Sequence, residues 1–373
     1  MAANLRTVIF GVQPVLPDVR HDLGLSFVAT GALTSVALAA VGMGSIPGAI
    51  VGSWLGARRT VVVMSAGLGA AALGRVLPVQ PAAIFAGTVL VSLFVSFVQP
   101  SATVLLRRWF SDRLALASGI YSNGLLIGGT VGSVVTPSIA SAVGWRGSFA
   151  VWGVLAVAVA AAWAVLTPRQ DGPVARLSVR AALSNVRAWE VTALFTFQNL
   201  AYFGAAAWLP FLLAGRSPAY IGWVFVCLNL LPIVPLLLLP GLRWPFATSP
   251  AFYLVHGVLT AAGAAGLLLG LRDAAWLFAF MIGLGCAATF VGAMALPPML
   301  ARTDSEAAGI TAVVFTFGYL FALWSPLGAG WLVDATGSVP AAFLPSVAGG
   351  VLMAVAGLLV PRALANGSAK AAA

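Results

Sequence analysis

Residues 168–187 read PRQDGPVARLSVRAALSNVR, the longest polar stretch of the chain, and carry Arg169, Asp171, Arg176, Arg180 and Arg187. The sequence on both sides of it is apolar over long distances. The stretch therefore reads as a solvated linker between two halves of similar length, and the fold turns on what each half is.

Composition settles the class. Of 373 residues, 61% are hydrophobic and 8% charged, with a mean hydropathy of +1.03. A water-soluble domain carries roughly 25% charged residues to build its polar shell, so no soluble fold fits. The 41 Gly and 22 Pro are tolerated in transmembrane helices, where neighbours satisfy the freed backbone groups. An outer-membrane barrel would need segments of about ten residues with alternating polarity, and the long runs here have no period of two. The chain reads as an all-α membrane protein in a lipid bilayer. Cys227 and Cys286 lie inside apolar runs as inert packing residues and suggest neither a disulfide framework nor a metal site. No charged leader with a small-residue cleavage site is evident.

A span needs roughly 20 apolar residues. Outward from the linker, charged or Gly/Pro-rich breaks give twelve segments: 3–19, 26–54, 60–77, 81–106, 114–142, 145–167, 188–213, 217–239, 248–271, 274–300, 306–333 and 340–360. The expected organisation is an N-terminal six-helix bundle over 1–167, the linker 168–187, a C-terminal six-helix bundle over 188–360 and a tail over 361–373. If the N-terminus is cytoplasmic, thirteen cations fall in cytoplasmic breaks: Arg58, Arg59, Arg107, Arg108, Arg113, Arg169, Arg176, Arg180, Arg187, Arg243, Arg302, Arg362 and Lys370. Five fall opposite: Arg20, Arg75, Arg146, Arg216 and Arg272. That asymmetry satisfies the positive-inside rule and places linker and both termini in the cytoplasm of a bacterial inner membrane. The net charge of +10 is thus topology, scattered singly and in pairs, and predicts no nucleic-acid partner.

The two halves repeat. At an offset of 193, Phe10, Gly11, Leu16 and Pro17 fall on Phe203, Gly204, Leu209 and Pro210. At 191, Ser26 and Gly31 fall on Ser217 and Gly222, and at 190, Gly119, Ile120 and Gly128 fall on Gly309, Ile310 and Gly318. A slowly drifting offset is what a parallel duplication with small insertions leaves, and parallel six-helix repeats are the layout of transporters with a midplane site at the repeat interface.

Several runs resemble the major facilitator superfamily and, within it, the cyanate and 2-nitroimidazole permeases. They are Asn4-Leu5-Arg6 with Leu16-Pro17; Trp189, Gln198, Tyr202 and Trp208-Leu209-Pro210; Gly144-Trp145-Arg146 with Phe149; and Gly318-Tyr319 with Pro326, Gly330, Asp334 and Gly337. The resemblance covers almost the whole chain and implies twelve helices in two parallel repeats around a central cavity. Two departures stand out. The superfamily's charged motif after the second span appears as Gly48 to Arg59 with Gly52, Ser53 and Trp54 where its acid and Arg should stand; only Arg58-Arg59 survives, so the usual inter-helix charge lock is not expected. A 17-residue first segment reaches about 25 Å at 1.5 Å per residue, short of a roughly 30 Å hydrocarbon layer, which points to a start upstream of Met1.

A transporter of a small anion needs a desolvated cation or an array of donors. Arg6 is the intramembrane candidate: such an Arg costs about 3 kcal/mol or more, and its planar fork matches carboxylate-like anions. The alternative is an Arg that snorkels to the headgroups. In the repeat Arg6 falls on Asn199, beside Gln198, so a charged donor in one half corresponds to amides in the other, either as substrate contacts or as interhelical glue. Gln13, seven residues beyond Arg6, lies on the same helical face; Gln99 and Asn123 are further polar candidates, and Tyr202 and Tyr319 offer aromatic walls for a flat solute. Trp208 reads as an interfacial belt residue, and Gly124, Gly128 and Gly132 as a small-residue packing ridge. All nine acids fall in loops or at segment ends, so a proton relay has few candidates, with His256 the sole histidine inside an apolar run.

The expected function is secondary transport of a small solute, an anion or a nitro or cyanate-like compound, by alternating access. The alternative is export of drug-like or amphiphilic compounds. Without a P-loop, catalytic constellation or metal-ligand cluster, no enzymatic activity or cofactor is expected, and the protein is expected to act as a monomer.

Overall fold

The structure, a computed structural model, describes residues 1–76, 81–110, 114–168, 183–236, 249–300 and 304–358, with the side chains of some of these, including 114–120, 122–123 and 304–309, left aside. Most of the linker 168–187 and the whole tail 361–373 lie outside the described residues. The described elements are helices: α1 (Ala2–Phe10), a 3₁₀ turn (Gln13–Val15), α2 (Leu16–Leu23), α3 (Phe27–Leu55), α4 (Ala57–Gly74), α5 (Pro81–Trp109) and α6 (Leu114–Leu166). After the linker come α7 (Val186–Leu212), α8 (Pro218–Asn229), α9 (Ile233–Leu236), α10 (Pro250–Leu268), α11 (Ala275–Leu300), α12 (Asp304–Ala322), α13 (Trp324–Thr336) and α14 (Leu344–Gly357).

Each segment drawn from the sequence contains helix, and eight described stretches are long and apolar enough to cross a membrane. One of them, Gly124–Leu166, holds 43 residues, about 65 Å at 1.5 Å per residue, twice a hydrocarbon layer. It bends at Gly144, whose φ of 74° is the left-handed region that only glycine enters without strain. Trp54, 82% exposed, and Val165, 81% exposed, are among many large apolar side chains pointing outward, as a surface against lipid requires.

The first segment departs from a single helix, and the sequence explains why. Pro14 has no N–H to offer the Phe10 carbonyl and Pro17 none for Gln13, and the Val12 N–H turns back to Ile9 at 3.4 Å in a 3₁₀ bond. The helix therefore breaks after Phe10. Gly204, the repeat partner of Gly11, lies in an unbroken α7 because no proline stands at 207. Likewise α12 ends at Ala322 because Pro326 cannot donate to it.

The chain divides into two compact units, Met1–Arg176 with Leu213–Val226, and Leu177–Leu212 with Cys227–Ala373. The short segment Leu213–Val226, drawn with the second bundle from sequence, groups with the first, where Gly222 lies so near Val134 that an added Cβ would be 3.1 Å from its carbonyl oxygen. Part of the helix pairing recurs in both units. In the first, α1 packs on α6 and α4 on α5 and α6; in the second, α7 packs on α12 and α10 on α11 and α14.

Glycine contacts show this repeat at atomic level. A Cβ on Gly11 would meet Thr136 Oγ1 at 2.9 Å and Trp152 Nε1 at 3.0 Å, while one on Gly204 would meet Ser325 Oγ and Ser346 Oγ at 2.4 and 2.7 Å. The hydrophobic effect does not drive helices together in lipid, so close van der Waals approach at small residues does the work. The ridge Gly124, Gly128 and Gly132 is such a site: it receives Ala2, Ala3 and Thr7 of α1. Around it, Leu5, Val8, Val61, Leu68, Val91, Val95 and Trp152 form the buried core of the first unit.

The charged motif after the second segment has a different use here. Arg58 Nη2 donates to the Ala164 carbonyl at 2.6 Å and Nε to Thr167 Oγ1 at 3.2 Å, so the surviving Arg caps the C-terminal end of α6, where a cation suits the helix dipole.

Candidate functional site

In the first unit the polar residues gather on α1 and the break that follows it. The glycine ridge fixes α1 against α6, and Arg6 sits half-buried with Cζ 5.5 Å from the Phe10 ring centroid. The Tyr121 hydroxyl is buried without a hydrogen-bond partner among the described residues. Asn4 is buried, and neither its amide nitrogen nor its oxygen meets a partner there; the same holds for Gln13 Oε1. The α-helix ends at Phe10, so Arg6 and Gln13 do not share one continuous α-helix. Gln13 instead opens the 3₁₀ turn.

In the second unit the site residues line α7. Gln198 is buried with Oε1 unpartnered among the described residues, and its backbone carbonyl accepts from Cys286 Sγ of α11 at 3.6 Å. Asn199 spends its Nδ2–H on the Phe195 carbonyl one turn back, at 2.8 Å. The Tyr202 hydroxyl donates to Asn229 Oδ1 of α8 at 2.5 Å. Tyr319 is buried in an aromatic cluster, edge-on to Phe195 at 5.3 Å and stacked on Phe315 at 6.0 Å, with Phe203 also in reach. A Cβ on Gly318 would come 2.3 Å from the Phe195 ring, so this glycine lets the cluster close.

Gln99 is half-buried in α5, and the side chain of Asn123 lies outside the described residues. Trp208 is 1% exposed and packs on Phe211 with centroids 5.0 Å apart; it is a core residue and not part of an interfacial belt. Trp324 is 64% exposed. His256 Nδ1 lies 2.7 Å from the Phe252 carbonyl of its own helix. Among the described residues no group of three His, Cys, Asp or Glu side chains could hold a metal ion.

Several buried Ser and Thr hydroxyls also lack a partner among the described residues, including Thr196, Thr289 and Thr316. A hydroxyl can swing onto the carbonyl four residues back, as Thr7 does onto Ala3 at 2.9 Å. The orphaned amide of Asn4 and the orphaned amide oxygens of Gln13 and Gln198 carry more information, because each unsatisfied buried group costs about 1 to 3 kcal/mol that a bound polar partner of matching donor or acceptor character would relieve. Sequence reasoning passed over Asn4 and Tyr121. The Asn-x-Arg opening was a signal for the first, whereas nothing in the local sequence singled out the second.

The chain is similar to known proteins over most of its length. An uncharacterized transporter of Bacillus subtilis, YycB, is 25% identical over 374 residues, covering 96% of this chain and 90% of the relative. The cyanate transport protein CynX of Escherichia coli is 28% identical, covering 90% of this chain and 88% of its own, and that bacterium's 2-nitroimidazole transporter is 26% identical, covering 97% and 93%. Among solved structures, a bacterial homologue of the human lysosomal transporter Spinster, inward-facing and occupied, superposes with a TM-score of 0.76 over 98% of this chain and 95% of that one at 15% identity, a likeness of fold. Residues 3–238 match the sequence profile of the Major Facilitator Superfamily, and the chain belongs to that superfamily: it is a multi-pass membrane transporter and not an enzyme.

Proposed function

We propose that the protein carries a small anion, or a compact nitro or cyanate-like solute, by alternating access. The observation that carries this reading is the buried amide of Asn4, its Nδ2 donor without a partner among the described residues, two residues from Arg6. In the first unit Arg6 supplies charge and a planar pair of donors and Asn4 Nδ2 an amide donor; in the second, Gln198 offers an amide whose orphaned oxygen accepts, and the Phe195, Phe315 and Tyr319 cluster offers ring surfaces to a flat solute. Gln13, Gln99, Asn123, Asn199, Tyr202 and Tyr319 complete the proposed substrate contacts. Asn199 and Tyr202 serve partly as internal ties, since each already spends a donor within the second unit. The names of two relatives, a cyanate and a 2-nitroimidazole transporter, agree with this substrate class.

We also propose a bacterial inner-membrane location with linker and both termini in the cytoplasm, on the thirteen-to-five cation asymmetry and the positive-inside rule, and a monomer as the working unit. The test is a proteoliposome uptake screen of cyanate, nitrite, formate and 2-nitroimidazole, with and without a pH gradient. Saturable uptake of at least one of them is expected. Uptake of none, with transport of amphiphilic cations instead, would put the exporter reading in its place.

A further inference from the structure

The break after α1 releases two carbonyls from their helical partners. Pro14 deprives the Phe10 oxygen of its donor, and the 3₁₀ turn of the Val12 N–H deprives the Val8 oxygen of its own. An uncapped carbonyl in a low-dielectric interior is costly, and the fold supplies a donor to each. Ser133 Oγ of α6 reaches the Phe10 carbonyl at 3.5 Å. Arg75 Nη2 reaches the Val8 carbonyl at 3.3 Å.

Arg75 is the unexpected donor. It follows the last residue of α4 and reads from sequence as a loop cation on the side opposite the linker, yet it is 2% exposed. Its stem lies on Gly87 of α5, where an added Cβ would come 2.3 Å from Arg75 Cγ. Its guanidinium carbon stands 4.8 Å from the Phe149 ring centroid in α6, and Nε meets no hydrogen-bond acceptor among the described residues. One side chain thus touches α1, α5 and α6 from the end of α4. Burying an arginine costs several kcal/mol unless its bonds compensate, and an apolar residue would fill the space at lower cost. What Arg alone adds is a rigid donor at fixed reach.

We propose that Arg75 is a positioning residue for transport: its guanidinium clamps the Val8 carbonyl, sets the break in the first span, and thereby fixes α1 with Asn4 and Arg6 in the attitude that binds substrate. This rests on the Arg6 site proposed above, yet its first consequence is independent of substrate. Arg75→Gln should raise amide hydrogen exchange across residues 9–16 by about tenfold, leaving α10 unchanged. Gly87→Ala, which keeps the charge but displaces the Arg75 stem, should do the same and guards against a Gln variant that fails to fold. The second consequence concerns cyanate uptake in proteoliposomes. Arg75→Lys should raise KM by about fivefold to tenfold with Vmax per folded transporter nearly constant, and should add nothing further in an Arg6→Gln background.

Unchanged exchange over 9–16 in both Arg75→Gln and Gly87→Ala would overturn the clamp. So would a loss of Vmax with KM unmoved, the mark of a merely structural residue. Faster exchange together with no dependence of cyanate uptake on Arg6 would keep the clamp on the first span and remove the Arg6 site instead.

Discussion

Replacing Gly128 by alanine tests the packing that holds the candidate site. An ideal Cβ there would lie 1.9 Å from the Ala3 carbonyl oxygen and 2.4 Å from Ala3 Cα. Ordinary contact begins near 3.4 Å, so the backbone of α1 must retreat by about 1.5 Å, because the obstacle is main chain and not the end of a flexible side chain. Overpacking of this kind costs about 1 to 3 kcal/mol, and it moves the short helix that carries Asn4 and Arg6. Gly328→Ala in α13 is the matched control, since nothing lies within 4 Å of its Cβ and alanine favours the helix by up to about 1 kcal/mol. Thermal unfolding in detergent should show Gly128→Ala several degrees below wild type and Gly328→Ala at or above it, with the Gly128 variant also losing anion affinity. Equal Tm values for the two variants would refute the claim that the glycine ridge is the seat of α1.

Arg58→Ala should remove the cap on the end of α6 and lower stability by about 1 kcal/mol, with Lys restoring part of it, measured by the same unfolding. Asp22→Asn should remove the ion pair with Arg146 while its amide oxygen can still accept from Trp145 Nε1, which lies 3.2 Å from the Asp22 carboxylate; because that pair is partly exposed, the loss should stay below about 1 kcal/mol and vanish at high salt. Cys227 and Cys286 are both buried, so a membrane-impermeant maleimide should label neither in the folded protein and both after denaturation, as read by mass spectrometry. A cysteine placed in the 168–187 linker should resist the same reagent in intact cells; labelling from outside would reverse the proposed orientation.

The sequence made the architecture readable because lipid imposes two strong signals, apolar length and positional charge, and because the duplication left Phe10-Gly11 and Leu16-Pro17 visible against Phe203-Gly204 and Leu209-Pro210. The break drawn between the fifth and sixth segments, 142 to 145, holds Gly144, where the structure bends. What escaped was whatever depends on the approach of distant helices. Arg75 counted as a loop cation, and only the folded packing of Gly87 and Phe149 shows it buried. Arg58 reads as the remnant of a motif, and its role as a cap requires the end of α6, more than a hundred residues away. The break at Gln13 lies between both kinds: Gly11, Pro14 and Pro17 announce it locally, but apolar length alone drew one straight span through it. Trp208 was misread because aromatic belts and aromatic cores share a composition.

The central claim, that Arg6 engages the negative end of a small solute, is tested most directly by equilibrium binding to the purified transporter. Wild type, Arg6→Lys and Arg6→Gln would be titrated with whichever of cyanate, nitrite or formate is taken up best. A charge-assisted hydrogen bond is worth about 1.5 to 3 kcal/mol, so Arg6→Gln should weaken Kd by about tenfold to a hundredfold. Arg6→Lys should recover only part of it, since an ammonium lacks the planar fork. Equal Kd for wild type and Arg6→Gln, or full recovery by Lys with Gln altering expression alone, would contradict the anion site and leave Arg6 as a snorkelling residue.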